Sequence, residues 1–242
     1  MQQYLDDLVK MLKDQTFVHA AWIEGSLGGG HNDELSDIDL WVDVDDNFEK
    51  TTYDLIDKFL VDKGGELDIR LEGQLHPPQL RHKTYRLKKS SRFDILEVNL
   101  RSHSSDDVFI EGVKKFKVLF DKDRTIKTKP FNKLQHSEEL SERKIFLKEE
   151  IRLGEILTEK EIIRGHFPEA LLMYHHFIAD SVVELARIRH TPNKISYGLK
   201  DMSRDFPKVQ VKELESLYQI NNLGAIKDKI LEANRLAEKY NS

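Results

Sequence analysis

The sequence predicts an α+β chain in which an N-terminal domain on a mixed β-sheet, residues 1–128, precedes an α-helical bundle domain, residues 129–242. Three observations predict it. Alternation of apolar and polar residues, the period-two mark of a half-buried strand, is confined to the first half. Helical periodicity takes over beyond Lys127-Thr128-Lys129-Pro130. A length of 242 residues, 39% of them hydrophobic, suffices for two modest cores.

Each element follows from its own pattern. Tyr4, Leu5, Leu8, Met11 and Leu12 share one face of a helix over 3–13, which feeds a short strand from Phe17 to Ile23. From Leu35 to Val44 the apolar set Ile38, Leu40, Val42 and Val44 alternates with Asp37, Asp39, Trp41 and Asp43. That spacing predicts a strand with one buried face and the aspartates together on the other. Residues 47–62 read as a helix stopped by Gly64-Gly65, and strand patterns follow at 66–71, 80–88, 93–101 and 116–120. In the second half, 138–164, 168–190 and 209–240 all read as helix, with breaks at Pro192 and Pro207.

Composition excludes several classes of function. With no cysteine there is no disulfide framework, no thiolate nucleophile and no thiolate metal site, so any metal must sit on oxygen or imidazole. The net charge of -5 is uneven: residues 1–128 hold 19 Lys and Arg against 25 Asp and Glu, and residues 129–242 hold 19 against 18. Phosphate-backbone binding draws on a basic surplus, so long nucleic acid is not expected as a partner. The opening MQQYLDDLVKMLKD is amphipathic and of mixed charge, and no apolar run is long enough to cross a membrane. No membrane partner is expected, and the expected location is the cytoplasm.

The stretch with chemical content is Ile23 to Val42, IEGSLGGGHNDELSDIDLWV. Gly25 has no Cβ and lets backbone approach a ligand closely, while Ser26 offers a hydroxyl and an N–H to phosphate oxygens at a turn. Asp37 and Asp39 then project from one side of the next strand. Paired carboxylates suit magnesium, which takes one or two from protein and completes its shell with water and substrate phosphate. Together these residues describe a site for a metal-bound nucleoside triphosphate.

Gly25-Ser26 followed, after a short gap, by Asp37-Ile38-Asp39 resembles the signature of the nucleotidyltransferase superfamily with the DNA polymerase beta-like fold. Among its members are the bacterial aminoglycoside and lincosamide nucleotidyltransferases. Val118-Leu119-Phe120-Asp121-Lys122-Asp123 is similar to the last strand of the small antibiotic-modifying members, and a helical second domain is similar to theirs. The resemblance implies a third acid on a neighbouring strand. In RFDILEVNL the choices are Asp94 and Glu97, three residues apart and therefore on opposite faces of a strand. Leu96, Val98 and Leu100 form the apolar row on the Asp94 side, which leaves Glu97 with Asn99 on the other and favours Glu97. The resemblance also extends to Arg187–Lys200, where it implies that Lys194 and Lys200 face the nucleotide phosphates.

Between Arg81 and Arg92 six Lys and Arg fall within one short stretch of an otherwise acidic half, a concentration suited to offsetting triphosphate or an anionic acceptor. His175-His176, by contrast, are adjacent on a helix and point about 100° apart, so they do not converge on a metal. The expectation is thus a magnesium-dependent enzyme with metal ligands Asp37, Asp39 and Glu97 and a triphosphate grip at Gly25 and Ser26. It would move a nucleoside monophosphate from a triphosphate, ATP by preference, to a hydroxyl of a small-molecule acceptor, antibiotics included, in a cleft between the domains. A homodimer is expected by likeness to small relatives. The alternative is a module of the same fold that binds nucleotide, or a toxin partner in the manner of an antitoxin, without transferring anything.

Overall fold

The computed structural model describes residues 1–74, 80–106, 108–112 and 115–241. The chain is α+β and divides into two compact units, Met1–Phe131 and Asn132–Ser242.

The first unit opens with helix α1 (Gln2–Lys13), strand β1 (Val18–Ile23), a short helix α2 (Gly25–Gly29) and strand β2 (Ile38–Val44). Helix α3 (Glu49–Gly64) follows, then β3 (Leu67–Gln74), β4 (Leu80–Leu87), β5 (Leu96–Ser102), β6 (Phe109–Ile110), β7 (Lys117–Asp121) and β8 (Thr128–Lys129). Six strands form one mixed sheet in the order β3-β4-β5-β2-β1-β7, while β6 and β8 pair separately. Within the six-stranded sheet β2 and β5 run parallel and every other neighbouring pair is antiparallel.

Period-two alternation decides which side of the sheet is core. Ile23, Leu40, Val42, Val98 and Leu100 point to the face packed by Leu5, Leu8 and Leu12 of α1 and by Tyr53, Ile56 and Leu60 of α3. Burying one such aliphatic side chain contributes about 1.5–3 kcal/mol, so this one layer accounts for the unit's cohesion. The opposite face collects the other half of each alternation: Trp22, Asp39, Trp41 and Asp43, then Glu97, Asn99 and Arg101. No helix of the core layer lies on that side, and the polar chemistry of the unit is concentrated there.

The glycine run Gly25–Gly30, read as a loop from composition, is mostly a turn of helix. Gly28 N–H donates to the Glu24 carbonyl at 2.9 Å, and Gly30 ends the turn at φ +72°, a conformation open to glycine. A Cβ on Gly28 would meet the backbone of Ile23 and Phe116, so this glycine is set by close packing.

The second unit consists of α4 (Lys133–Arg164), α5 (Phe167–Met173), a π-helical turn Tyr174–Ala179, α6 (Asp180–His190), a 3₁₀ segment Pro192–Tyr197, α7 (Met202–Asp205), α8 (Lys208–Ser216) and α9 (Leu223–Asn241). Asn132 caps α4 by accepting the Gln135 N–H at 3.2 Å. Gly154 lets the π-helical turn approach, because a Cβ there would lie 2.9 Å from Ile178 Cγ1. The periodic run 209–240 divides into two helices at Asn221-Asn222, where the Asn222 side chain accepts the Ala225 N–H at 2.9 Å and starts α9 afresh. Among the described residues no helix is long and apolar enough to cross a membrane.

Candidate active site on the polar face of the sheet

Parallel pairing of β2 with β5 aligns Asp39 with Glu97, so the two carboxyl groups leave adjacent strands in one direction. Asp37 precedes β2 by one residue and is exposed, whereas Asp39 and Glu97 are half-buried. The approach to β2 is held by Asp33, whose Oδ1 accepts from the Leu35 N–H at 3.0 Å and the Ser36 hydroxyl at 2.9 Å.

Gly25 closes the other side. The Glu24 N–H donates to the Asp39 carbonyl at 3.0 Å, which ties the end of β1 to β2 just before the helical turn. Gly25 stands at φ +61°, and a Cβ on it would lie 2.8 Å from Asp39 Cγ and closer still to Oδ2. Backbone conformation and space therefore both require glycine here, and the carboxylate of Asp39 occupies the room thus left. Ser26, the next residue, is half-exposed in the first turn of α2.

The electrostatics show the acids acting on one another. The Glu97 carboxyl is pushed above the usual carboxylate range, first by burial, then by the charges of Asp39 and Asp37 and by a hydrogen bond shared with the Asp39 carboxyl, with His82 opposing. His82 is fixed on β4 by Asn99 Oδ1 and Thr84 Oγ1, each 3.0 Å from a ring nitrogen, and Thr84 pairs directly with Glu97. Asp94 is elsewhere: it sits in the turn before β5 and pairs with the Met1 amino group. Glu97 is thus the acid from this segment that Asp37 and Asp39 meet.

A carboxyl whose proton affinity is raised by burial and by two acidic neighbours marks a site short of positive charge. Two hard oxygen groups within hydrogen-bonding reach, with a third acid beside them, match the donor set magnesium accepts when water and phosphate complete its shell. Among the described residues no three His, Asp or Glu side chains are drawn in to metal-ligand spacing. The Asp39–Glu97 pair is therefore the part of the donor set that the backbone holds ready.

Of the remaining sequence candidates, Lys194 and Lys200 belong to the second unit. Lys194 Nζ donates to Asp205 Oδ1 at 2.6 Å, and Asp205 also accepts from Arg187 at 2.7 Å. Lys200 is exposed near the Tyr197 ring. In the basic stretch, Lys83 is buried beside Asp57, Arg86 pairs with Asp68 and Lys88 with Glu66, so half of that charge is met by acids of α3, β3 and the turn between them.

Composition did not disclose a second polar cluster on the same face. Asp43 is fully buried, pairs with Arg101 across the β2–β5 register and accepts from or shares a proton with His103 Nδ1 at 2.7 Å. Arg101 lies 5.1 Å from the Trp22 ring centroid, and Trp22 Nε1 donates to the buried Glu24 at 3.1 Å. His19, stacked on His103, bridges Asp45 and Asp123 at 2.7 and 2.8 Å. The signal available in sequence was Arg101 itself, a cation in phase with Glu97 and Asn99 on a strand whose other face is apolar.

One similar solved structure is an aminoglycoside 6-adenyltransferase from Bacillus subtilis, at 16% identity and a TM-score of 0.41, with 99% of this chain and 88% of that one covered. Another is the STING-associated CdnE c-di-GMP synthase from Capnocytophaga granulosa, at 16% identity and a TM-score of 0.32, with 98% and 79% covered. No family model matches the chain, and no curated protein matches it significantly. The reading of the site rests on the residues described above.

Proposed function

We propose that the chain is a nucleotidyltransferase that moves a nucleoside monophosphate from a nucleoside triphosphate, ATP by preference, to a hydroxyl of a small-molecule acceptor. One observation carries this reading: Asp39 and Glu97 are held side by side by the sheet register, against a glycine with no room for a side chain. Asp37, Asp39 and Glu97 would hold magnesium, which when bound offsets charge on the phosphate oxygens and aligns them. Gly25 and Ser26 present backbone and hydroxyl to the terminal phosphates. For further triphosphate charge Lys200 is better suited than Lys194, whose ammonium already pairs with Asp205.

The acceptor oxygen attacks the α-phosphorus, the bond from that phosphorus to the bridging oxygen breaks, and pyrophosphate leaves. Glu97 either completes the metal shell or takes the hydroxyl proton, and for the second role burial and acidic neighbours make its carboxylate a stronger base than an exposed one. An acidic first unit supports a small acceptor over a long RNA, and aminoglycoside-like antibiotics belong on the list of acceptors to try.

The test is transfer of label from an α-labelled triphosphate to a panel of hydroxylated acceptors, with magnesium, for the native chain and Asp39→Asn. The expected result is transfer that the substitution lowers by roughly a thousandfold while the far-ultraviolet circular dichroism is unchanged. Transfer at the native rate by Asp39→Asn would remove the assignment. Triphosphate binding without transfer to any acceptor or cell extract would favour the non-transferring module.

A further inference from the structure

Strand register sorts the polar face of the sheet into rows. The first holds Glu24, Asp39, Glu97 and Thr84, the second Trp22, Trp41, Asn99 and His82, and the third Asp43 and Arg101. The proposed metal and triphosphate draw on the first row, which leaves the second without a role. Its chemistry is divided. On the β1 side Trp22 is fully buried and stacks on Trp41, with ring centroids 5.8 Å apart and planes 16° from parallel, and Phe109 meets Trp22 edge-on at 5.6 Å. On the β4 side Asn99 Oδ1 accepts from His82 Nδ1 at 3.0 Å. Trp41 stands between these halves, half-exposed, two residues beyond Asp39.

Three features say what fits there. The first is direction. In an in-line displacement the attacking oxygen enters opposite the leaving pyrophosphate. Gly25 and Ser26 lie past the acid row at the end of β1, so the oxygen enters from the side of the second row. Successive rows are about 6.7 Å apart, the span of one six-membered ring with its substituents, and a ring bearing that oxygen falls on Trp41. The second is charge. Carboxylates line the row on one side and Arg101 on the other is already met by Asp43, so the place suits a neutral or amino-bearing ring and not an anionic one. The third is hydrogen bonding. With its carbonyl committed to His82, the Asn99 amide has only N–H groups to offer. These suit hydroxyl oxygens and lack the donor and acceptor pair with which an amide reads the edge of a nucleobase.

We propose that Trp41 is the platform for the acceptor, a saturated, hydroxylated ring, neutral or carrying amino groups, with the Asn99 amide donating to one of its hydroxyls. The inference rests on the transfer reaction proposed above and deepens it by naming the acceptor class. The C–H groups of such a ring lie against the electron-rich face of the indole. Trp22 backs that indole and is itself held by Phe109, so the platform is rigid before the acceptor arrives. Trp41 is a specificity residue, acting on the acceptor and not on the triphosphate.

The chain has two tryptophans, and Trp22 is shielded by burial, so the emission of Trp41 reports on the proposed platform directly. The full chain is titrated with glucosamine, myo-inositol and kanamycin, with sorbitol as the open-chain control and a non-hydrolysable ATP analogue with magnesium as the nucleotide control. At least one ring compound should shift the emission, and neither control should. The shift should vanish in Trp41→Phe, whose calorimetric affinity should stay within about threefold of native, while Trp41→Ala should lose roughly tenfold or more. In transfer the same loss should appear as a raised KM for the acceptor, with the KM for triphosphate unmoved. No emission change with any ring compound, a change with the nucleotide analogue alone, or native affinity and acceptor KM in Trp41→Ala would overturn the proposal. Failure of the reaction itself reads differently, since ring binding at Trp41 without transfer would sustain the platform and remove the chemistry. Circular dichroism of each variant separates lost binding from lost folding.

Discussion

Two pairs of side chains on the same two strands behave in opposite ways. Asp39 with Glu97 and Asp43 with Arg101 are both opposed in the β2–β5 register, two pleat repeats apart, on the same face of the sheet. At the second position the chain supplies its own countercharge, buries the pair completely and surrounds it with His103, Trp22 and the Thr125 carbonyl. At the first it sets acid against acid, leaves both half-buried and raises the proton affinity of Glu97. The difference separates a pair neutralised within the fold from one whose like charges the register holds together, charges that under the proposed function a bound cation would offset.

Substitutions at the two positions should therefore fail in different assays. The largest effect expected is on transfer, which Asp39→Asn removes by roughly a thousandfold with folding intact. Asp43→Ala should instead cost about 3–5 kcal/mol of unfolding free energy, because it leaves Arg101 buried without its carboxylate; urea denaturation followed by circular dichroism reads this. If Asp43→Ala were stable and inactive, the division of labour would be wrong. Gly25→Ala comes next: its Cβ would displace the Asp39 carboxylate, and a shift of that size at a reacting centre costs about a hundredfold in rate. The smallest effect is a gain. Glu97→Gln should raise the melting temperature by about 2–4 °C in a chelating buffer, since it removes a carboxylate that its neighbours disfavour.

The pH dependence sharpens the same contrast. A carboxyl with a raised proton affinity in the folded state binds more protons there than in the unfolded chain, so its stabilisation is present in acid and is lost as pH rises through its folded value. Transfer should run the other way, falling as pH drops through that value, because a neutral Glu97 neither ligates nor accepts a proton. For His19, burial works against the charged form, but Asp123 and Asp45 outweigh it and raise its proton affinity. Its contribution is likewise whole at low pH and is lost on the way up, at higher pH than that of Glu97. Compared with the native melting curves across the acid and neutral ranges, those of Glu97→Gln and His19→Gln should each lose one of these two slopes.

The α+β class and the sheet's buried face were legible in the sequence because alternation is local: Ile38 to Val44 and Leu96 to Leu100 declare their inner rows without reference to anything else. The same phase put Glu97 and Asn99 on the side away from Leu96. What no local pattern carries is pairing. That Asp39 lies opposite Glu97 depends on a parallel register between strands separated by α3, β3 and β4. Alternation also placed Asp43 with the exposed aspartates, whereas the cation that lets it be buried comes from another strand. Gly25 was legible as a permissive residue, but the carboxylate filling its space was not. Helix breaks were missed where a side-chain cap, Asn222, interrupts an otherwise continuous apolar period.

The crossover between β2 and β5 has a kinetic corollary. Antiparallel neighbours can zip from a hairpin, but this parallel pair must wait for the whole intervening segment to find its place, a connection of high contact order. The two acids are consequently strangers in a nascent or partly unfolded chain and become neighbours only when the central strands have closed. Any affinity for a divalent ion is then a late acquisition, and stopped-flow titration during refolding should detect it only after the sheet has formed.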